Sequence, residues 1–434
     1  MVDGPPFPTL ADWLAWQERS HPRVIDLGLE RVATVLERLG VKPPPFQVIT
    51  VAGTNGKGST VAFLHAILRA GGFRVGAYTS PHLLRYNERV RIDGEMASDV
   101  QFCRAFAEID AARGELSLSY FEFGTLAAFL IFRDAGVEVA VLEVGMGGRL
   151  DAVNTLDADA AAVIMIDIDH TEWLGQDRDS IGYEKACIYR AGRPAILADP
   201  DPPASVLRHA EAIGARLYRY RSDFDFTQSG ATWNWWWRGG ESLTSLPLPR
   251  LAGEHQLLNA AAAIMTLRTL AERLPLAREA IVMGLRNAQA RARFERIPGA
   301  VEWILDVGHN PQAARTLAQC LNERPGHGQT LGVVGMLRDK DCARVAEALR
   351  ERIDGWYSAT LDGARGQTGE ALAAVLREAG AHAVRAFATV ADACRAARED
   401  AAPGDRIVVF GSFHTVAAAL KAGIIEETVR GYPT

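Results

Sequence analysis

Short apolar runs alternate with longer segments of helical periodicity over most of the chain. In the first half, four runs are apolar at nearly every position, as strands buried on both faces of a parallel sheet are. They are QVITVA, RVGAYT, VEVAVLEVG and AAAVIMI. Helical patterns occur at STVAFLHAILRAGG, DVQFCRAFAEIDAARG and FEFGTLAAFLIFRDAG. The alternation predicts an α/β domain built on a parallel sheet.

The pattern changes near Ala215, where polar and aromatic positions alternate around Ser229-Gly230 and Gly239-Gly240. This predicts a small antiparallel insertion. Its four tryptophans allow two interpretations, a sheet face packed on the domain or a platform for stacking bases, and we favour the packed face. They are Trp233, Trp235, Trp236 and Trp237.

A second series of strands follows a helical segment, EHQLLNAAAAIMTLRTLAERL. The stretch RFERIPGAVEWILDVGHNP restarts the strand–turn–helix order, and four further strand-length runs come after it. These are LGVVGM, GWYSATL, HAVRAFA and RIVVFG. They predict a second, Rossmann-like α/β domain. We place the domain boundary near Ile297, which gives domains of residues 1–296 and 297–434.

Composition narrows the class of protein. A chain of 434 residues exceeds one ordinary core, and a net charge of −6 does not favour a nucleic-acid partner. The five cysteines are scattered, which argues against a disulfide framework or a cysteine zinc site and fits a reducing compartment. The N-terminus MVDGPPFPTL lacks the basic and apolar regions of a signal peptide, and no apolar run approaches the roughly 20 residues of a membrane span. We therefore expect a cytoplasmic protein without a membrane partner.

The stretch AGTNGKGST lies between a strand pattern and a helix pattern, where a glycine-rich turn exposes backbone N–H groups at the positive end of the helix dipole. The side chain of Lys57 adds a mobile positive charge for phosphate. An ordinary glycine-rich turn is the alternative. The loop departs from a Walker A loop, because Gly58 separates the lysine from the hydroxyls. The predicted ATP-binding loop is Gly53, Thr54, Asn55, Gly56, Lys57, Gly58 and Ser59.

Because Ser59 and Thr60 are displaced by one position, a metal ion would need other ligands. Ser80 ends the next predicted strand, in YTSPHL, and is a candidate, although a serine before proline is usually a turn residue. Glu143 closes a buried strand, where a carboxylate requires a partner. A magnesium ion would provide that partner, while a salt bridge or a helix cap is the alternative.

Motifs along nearly the whole chain resemble the Mur ligase superfamily, and within it the folylpolyglutamate synthase family. The first motifs that match this family are GTNGKGST and SPHLLRYNERVRIDG. Further matches follow in family order: DLGLERV, SYFEFGT, LEVGMGGRLDAVN, DHTEWLG, EKA, HQLLNA, RFE, DVGHNP, MLRDKD and GSFHT. The bacterial bifunctional dihydrofolate synthase/folylpolyglutamate synthases are the most similar branch. With 52 residues before Gly53, we expect no UDP-sugar-binding domain of the kind that cell-wall Mur ligases carry before this loop.

The resemblance implies an ATP-dependent ligase of folate biosynthesis and one-carbon metabolism. It would join L-glutamate to dihydropteroate and to reduced folates through an acyl phosphate, with ATP as co-substrate and magnesium, two ions by the family pattern. A monomer is expected. The alternatives are a folylpolyglutamate synthase without dihydrofolate synthase activity and, from another class, a P-loop regulatory nucleotide-binding module.

The resemblance also assigns roles to residues. Magnesium would be held by Ser80, Glu143 and His170, with a carbamylated Lys185 supporting the second ion. From spacing alone, Lys185 could be a surface lysine of a helix and His170 a loop histidine. The predicted catalytic residues are Lys57, Lys185 and His309. ATP contacts outside the loop are predicted for Asn259, Arg293 and Asp306, which implies a nucleotide between the two domains.

Three early segments match family segments that contact dihydropteroate. They are Leu29, Glu30 and Arg31; Phe121, Glu122, Phe123 and Gly124; and Leu150, Asp151 and Ala152. On spacing alone the two phenylalanines are helix core. SPHLLRYNERVRIDG is expected to be a mobile loop over the same cleft. The predicted glutamate-binding residues are His309 and Ser412, although His309 could instead cap a turn.

Overall fold

A computed structural model describes residues 7–23, 25–324, 326 and 328–425. The chain forms two compact units. The first comprises residues 1–250 and 257–289, and the second comprises residues 251–256 and 290–434. Each unit contains a sheet dominated by parallel strands, as the alternating pattern predicts.

The first unit contains an eight-stranded sheet in the order β4-β3-β2-β5-β1-β6-β7-β8. Strands β1, β2 and β5 to β8 are parallel. The strand bounds are β1 Gln47–Ala52, β2 Val75–Tyr78, β3 Val90–Ile92, β4 Glu95–Met96, β5 Val139–Glu143, β6 Ala160–Val163, β7 Pro194–Leu197 and β8 Arg216–Arg219. The central strand β1 is apolar on both faces because helices cover it, and Val48, Ile49 and Val51 are fully buried.

Helices cover this sheet. Their bounds are α1 Leu10–Ser20, α2 Glu30–Arg38, α3 Lys57–Ala70, α4 Asp99–Arg113, α5 Tyr120–Asp134, α6 Thr171–Leu174, α7 Arg178–Ala186, α8 Ala204–Ala212, α9 Glu254–Thr269 and α10 Arg278–Asn287. Helix α9 contributes its residues from Leu257 onward to this unit. Capping boxes at Ser98 and Ser119 fix the starts of α4 and α5. An aromatic cluster of Trp13, Phe106 and Phe123 packs α1, α4 and α5 together.

The segment after β2 differs from the expected loop. It contains a 3-10 helix, Tyr86–Arg89, and the strand β3, which pairs antiparallel with β2. The side chains of Tyr86 and Val90 are buried. The predicted mobility of the segment stays a prediction.

The insertion is a three-stranded antiparallel sheet in the order β11-β10-β9. Its bounds are β9 Phe224–Ser229, β10 Thr232–Trp237 and β11 Leu243–Pro247. Trp233 and Trp235 lie on the same face of β10, and both are fully buried. The Trp233 indole N–H donates to the carbonyl of Pro247 at 2.9 Å. This burial agrees with the interpretation of a packed sheet face.

The second unit contains a six-stranded sheet in the order β12-β13-β17-β14-β15-β16, in which β12 alone is antiparallel. The strand bounds are β12 Glu295–Ile297, β13 Glu302–Leu305, β14 Thr330–Val334, β15 Gly355–Ala359, β16 Val384–Phe387 and β17 Arg406–Phe410. The helices are α11 Pro311–Glu323, α12 Cys342–Leu349, α13 Gly369–Glu378, α14 Val390–Asp400 and α15 Phe413–Lys421.

The compact units divide between Gln289 and Ala290, a few residues before the predicted boundary. Strand β12 pairs with β13, so Glu295 and Arg296 belong to the second sheet. The roles predicted for the two domains stay predictions. Among the described residues, no helix has both the length and the apolar character needed to cross a membrane.

Candidate active site

The glycine-rich loop joins β1 to α3, and α3 begins at Lys57. Gly56 immediately precedes the helix with φ 86°, a left-handed conformation that favours glycine. The loop is fixed to the segment after β6, because Thr54 N donates to the Met165 carbonyl at 2.7 Å and the Thr54 hydroxyl to the Asp167 carbonyl at 2.9 Å. The backbone N–H groups at the start of α3 therefore have a defined place from which to bind an anion.

Two lysines donate to one carbonyl oxygen in this loop. Lys57 Nζ lies 2.9 Å from the Gly53 oxygen and 3.2 Å from the Thr54 oxygen. Lys185 Nζ reaches the same Gly53 oxygen from α7 at 3.1 Å. Lys185 is 4% exposed, so the interpretation of a surface lysine is wrong. Burial, and then repulsion by Lys57, lowers the pKa of Lys185 to about 7.

Asn259 of α9 lies against the loop. A Cβ atom added to Gly56 would stand 2.6 Å from the Asn259 side-chain oxygen, and the Asn259 side chain is buried. The structure therefore brings this predicted ATP contact together with the glycine-rich loop. The predicted hydroxyl Ser59 is also buried, within the first turn of α3.

Ser80 and Glu143 meet at the carboxyl ends of neighbouring strands. The strands β2 and β5 pair in parallel, and Ser80 N lies 3.3 Å from a carboxylate oxygen of Glu143. Glu143 is 4% exposed. The Ser80–Pro81 peptide bond is cis. The spatial arrangement thus joins two of the predicted metal ligands.

His170 precedes α6 at the same edge of the sheet, since β6 pairs with β1 and β1 pairs with β5. Its φ of 53° is unusual for a residue other than glycine and indicates local strain. Asp169 accepts a hydrogen bond from His170 N at 2.8 Å. The segment that carries His170 also contacts the glycine-rich loop through Asp167.

Within the described residues, no group of three or more His, Cys, Asp and Glu side chains could hold a metal ion. The predicted set contains two of these residue types, Glu143 and His170, together with the Ser80 hydroxyl. The buried Glu143 carboxylate and a serine one hydrogen bond away offer oxygen donors, which suit magnesium because this ion prefers oxygen ligands and keeps several waters. The residues present therefore fit a magnesium ion, and a carbamate on Lys185 would add a further oxygen ligand.

The three predicted pterin segments converge in the first unit. Gly28 N donates to the Leu150 carbonyl at 3.3 Å, which joins the first segment to the third. Arg31 bridges the first to the second, with 2.9 Å to a Glu122 oxygen and 2.9 Å to an Asp26 oxygen. Glu122 also accepts from Ser119 N at 2.7 Å. Arg31 and Glu122 are thus committed to holding the segments together.

The remaining side chains of these segments differ in exposure. Leu29, Phe121 and Leu150 are half-buried, and Glu30 is exposed. Phe123 is fully buried between Trp16 and Phe106, as the spacing alone indicates for helix core. Gly124 packs beneath two tyrosines: an added Cβ would stand 2.6 Å from the Tyr86 hydroxyl and 3.4 Å from that of Tyr78.

Asp151 is a buried carboxyl between these segments. It accepts hydrogen bonds from Met146 N at 2.9 Å and Val153 N at 3.0 Å. Burial raises the pKa of Asp151 to about 6 despite these bonds and the attraction of Lys57. Next to it, a Cβ added to Gly145 would stand 2.6 Å from the Phe121 ring. Asp151 and Phe121 therefore flank the same small glycine, and Ala152 is buried behind them.

In the second unit, four predicted residues lie around the carboxyl ends of β13 and β17, which pair in parallel. The Arg293 guanidinium is 5.2 Å from the centre of the Phe413 ring, next to Ser412. Asp306 accepts from Phe294 N at 2.9 Å and Gly308 N at 2.7 Å, and burial raises the pKa of its carboxyl. Gly411 N donates to the Gly308 carbonyl at 3.1 Å, which joins the DVGHNP and GSFHT motifs.

His309 and Ser412 have defined local partners. The ring Nδ1 of His309 lies 2.9 Å from the Val307 carbonyl. The Ser412 hydroxyl accepts from Thr415 N at 3.0 Å and caps α15. Both residues stand at helix starts, His309 just before Asn310, which caps α11. The backbone N–H groups at the two helix starts favour an anionic ligand.

Comparison with known proteins first defines the class. The family model of the Mur ligase middle domain matches residues 51–267, and that of the Mur ligase glutamate ligase domain matches residues 292–413. The fold and its glycine-rich loop are therefore those of a Mur ligase.

Individual relatives define the family. The chain is 45% identical over 413 residues to the dihydrofolate synthase/folylpolyglutamate synthase of Escherichia coli, with 95% of each chain covered. It resembles the solved structure of E. coli FolC in complex with DHPP and ADP, with a TM-score of 0.91, 45% identity, and coverage of 97% of this chain and 98% of that chain. It also resembles a bifunctional folylpolyglutamate synthase/dihydrofolate synthase with Mn, AMPPNP and L-glutamate bound, with a TM-score of 0.88, 46% identity, and coverage of 97% and 99%. The chain belongs to the bifunctional dihydrofolate synthase/folylpolyglutamate synthase family of Mur ligases.

The packing of the loop predicts the effect of a methyl group at Gly56. Gly56→Ala should lower the free energy of unfolding by more than Gly72→Ala. Both residues have φ near 86°, but only Gly56 has neighbours, Asn259 and Ile164, within 4 Å of the added carbon. The shared left-handed strain is about 1–2 kcal/mol. Denaturant titration of the two variants measures the difference. Equal losses would contradict the contact.

The buried Asp151 predicts a pH dependence. The pKa of Asp151 is about 6 in the folded protein and 3.8 ordinarily, so the folded state still binds the proton at pH values where the unfolded state has lost it. The contribution of Asp151 to the free energy of unfolding is therefore lost as pH rises from 3.8 to 6. Asp151→Asn does not titrate. Its free energy of unfolding relative to wild type should therefore rise by about 2 kcal/mol between pH 4 and pH 7. A difference independent of pH, measured by denaturant titration, would refute the assignment.

Proposed function

We propose that the protein is an ATP-dependent amide ligase that joins L-glutamate to dihydropteroate and to reduced folates through an acyl-phosphate intermediate. One observation carries this proposal. At the start of α3, two lysines share the Gly53 oxygen, and the same sheet edge holds the buried Glu143 carboxylate, which accepts a hydrogen bond from Ser80 N. Positive charge for phosphate and oxygen ligands for a metal ion thus stand together. Membership of the family supplies the substrates.

The reaction requires two steps. A carboxylate oxygen of the pteroyl acid attacks the γ-phosphorus of ATP, and ADP leaves with the electrons of the broken P–O bond. The glutamate amine then attacks the acyl carbon, loses a proton, and phosphate leaves. Since the transferring group carries dense negative charge, positioning and electrostatic stabilisation dominate the catalysis.

Lys57 moves from the loop carbonyls to the phosphates of ATP in this proposal. Its hydrogen bonds to Gly53 and Thr54 are replaced by charge-assisted bonds, which are stronger. The N–H groups of residues 53–59 bind phosphate oxygens, and Asn259 holds the loop from the side. Arg293 and Asp306 are further proposed ATP contacts, the arginine toward phosphate and the aspartate toward ribose hydroxyls.

Magnesium would be held by Ser80, Glu143 and His170. When bound, it would neutralise charge on the phosphates of ATP. The chain's own contribution is to keep the Glu143 carboxylate buried at the strand end, with Ser80 N hydrogen-bonded to it. The Ser80 hydroxyl is the proposed replacement for the displaced hydroxyl of the loop.

Lys185 is the proposed site of carbamylation. Carbamate formation joins the neutral amine nitrogen to the carbon of CO2 and releases one proton. The lowered pKa of Lys185 leaves much of the amine neutral near pH 7. The product is a carboxylate-like group in place of a buried ammonium beside Lys57, so repulsion becomes attraction.

The pteroyl acid is proposed to lie against Leu29, Phe121, Leu150 and Asp151. These residues belong to the three predicted pterin segments, which contact one another in the first unit. L-glutamate is proposed to bind near His309 and Ser412 in the second unit, where two helix starts favour a carboxylate. His309 is the proposed catalytic residue on the amine side. A monomeric state and a cytoplasmic location also stay predictions.

A steady-state assay tests the ligase proposal. Phosphate release from ATP is measured with dihydropteroate, with tetrahydrofolate and with neither acid, each with and without L-glutamate. We expect release to require an acid and glutamate, and Lys57→Ala to reduce it by at least about a hundred-fold, since a charged phosphate contact is lost. Arg69→Ala, on the same helix, is the control.

The outcomes separate the alternatives. Glutamate-dependent turnover with tetrahydrofolate but not with dihydropteroate identifies a folylpolyglutamate synthase without dihydrofolate synthase activity. Hydrolysis of ATP that ignores both the acid and glutamate indicates a regulatory nucleotide-binding module instead and would falsify the ligase.

The carbamate is tested on the protein itself. Incubation with ¹³C-labelled bicarbonate should produce a carbamate carbon resonance that Lys185→Arg lacks, because the arginine side chain has no neutral amine near pH 7. Lys340→Arg controls for other lysines. A spectrum identical in wild type and Lys185→Arg would exclude this modification at Lys185.

A further inference from the structure

A buried arginine, Arg89, lies between Ser80, a proposed metal ligand, and the segments proposed to bind the pterin. Arg89 ends the 3-10 helix before β3 and is 8% exposed. Its backbone carbonyl accepts a hydrogen bond from Thr79 N at 2.9 Å, one residue before Ser80. Sequence alone does not separate Arg89 from Arg85 and Arg91, the two other arginines of the same stretch, because the difference lies in burial.

The Arg89 guanidinium is surrounded by rings. It lies 5.3 Å from the centre of the Tyr86 ring and 5.6 Å from that of Tyr120, and its Nε donates to His82 Nδ1 at 2.9 Å. Within the part of the chain that the structure describes, Arg89 has no ion pair with an aspartate or glutamate. Cation–π contacts of this kind offset only about 0.5–2 kcal/mol, whereas a buried charge without a counter-ion costs more.

The surroundings of Arg89 include a second polar group without a partner. The Tyr86 hydroxyl is buried, has no hydrogen-bond partner among the described residues, and faces Gly124 of the pterin segment. Arg89 and this hydroxyl can both donate hydrogen bonds. The charged Arg89 guanidinium and the Tyr86 hydroxyl together have the donors that an anion with two oxygens requires.

We propose that Arg89 binds a carboxylate of the pteroyl acid substrate. This inference rests on the proposed function. The pteroyl acid must extend from the pterin segments to the phosphate loop, and Arg89 lies between Tyr120 of α5 and Thr79 beside Ser80. A guanidinium matches a carboxylate in a bidentate manner and supplies the missing negative charge. In dihydropteroate the carboxylate is the reacting group. A folate also carries a second carboxylate, on the α-carbon of its glutamyl unit.

The test compares Michaelis constants. Arg89→Gln should raise KM for an acid substrate by about ten-fold to a hundred-fold, the loss expected for a charged hydrogen bond, with KM for ATP unchanged. Arg89→Lys keeps the charge and the ring contacts but not the planar fork, so it should fold like wild type and show an intermediate KM. Arg91→Gln is the matched control, since Arg91 lies on the adjacent strand and donates instead to the Gly94 carbonyl.

The two acids identify the carboxylate. A rise in KM for both dihydropteroate and tetrahydrofolate assigns Arg89 to the reacting carboxylate. A rise for tetrahydrofolate alone assigns it to the α-carboxylate. Direct titration of the acids into protein without ATP should show the same loss of affinity.

Other results overturn the inference. If both substitutions leave KM and affinity for the two acids unchanged while the unfolding midpoint falls, Arg89 is a packing residue. A rise confined to KM for L-glutamate assigns the arginine to a different ligand. Failure of the proposed function itself is distinguishable, because wild-type protein would then show no turnover that depends on an acid and glutamate.

Discussion

The arrangement around the glycine-rich loop depends on the Gly53 carbonyl, to which the side chains of Lys57 and Lys185 both donate. Lys57 and Lys185 come from different helices, and their like charges would separate if this oxygen did not accept from both. The shared bond joins α7 to the glycine-rich loop. It also keeps a strongly buried amine at the loop, where its burial alone disfavours the charged form. The chemistry proposed for phosphate and for carbamate therefore starts from two amines held at the same carbonyl oxygen.

The sequence predicts the architecture well because the strands are nearly continuous apolar runs between helices. QVITVA, for example, becomes β1 from Gln47 to Ala52. The edge of the first sheet was not predictable in this way. Strands β3 and β4 are three and two residues long, and polar side chains such as Arg91 interrupt the apolar pattern. Their pairing depends on β2, which lies at a distance along the chain.

In the candidate site, too, some features follow from the local sequence pattern and others depend on tertiary packing. Local pattern is sufficient for the glycine-rich loop, since strand, glycines, lysine and helix are consecutive. The burial of Lys185 and the approach of Asn259 to Gly56 depend on tertiary packing, and spacing alone favours a surface lysine. The family resemblance predicts roles for such residues but does not explain them physically. The structure explains them by showing what each side chain contacts. Arg31 and Glu122 illustrate this, because their ion pair joins two of the segments proposed to bind the pterin.

The short antiparallel edge has a consequence for motion. Strand β4 has only two residues, and β3 is bonded on its other side to β2. Few backbone hydrogen bonds must break for this edge to open, so its amide protons should exchange with solvent before those of β1 and β5. Ser80 and Arg89 both belong to the connection between β2 and β3. A single local opening would therefore release both residues together while the centre of the sheet stays intact.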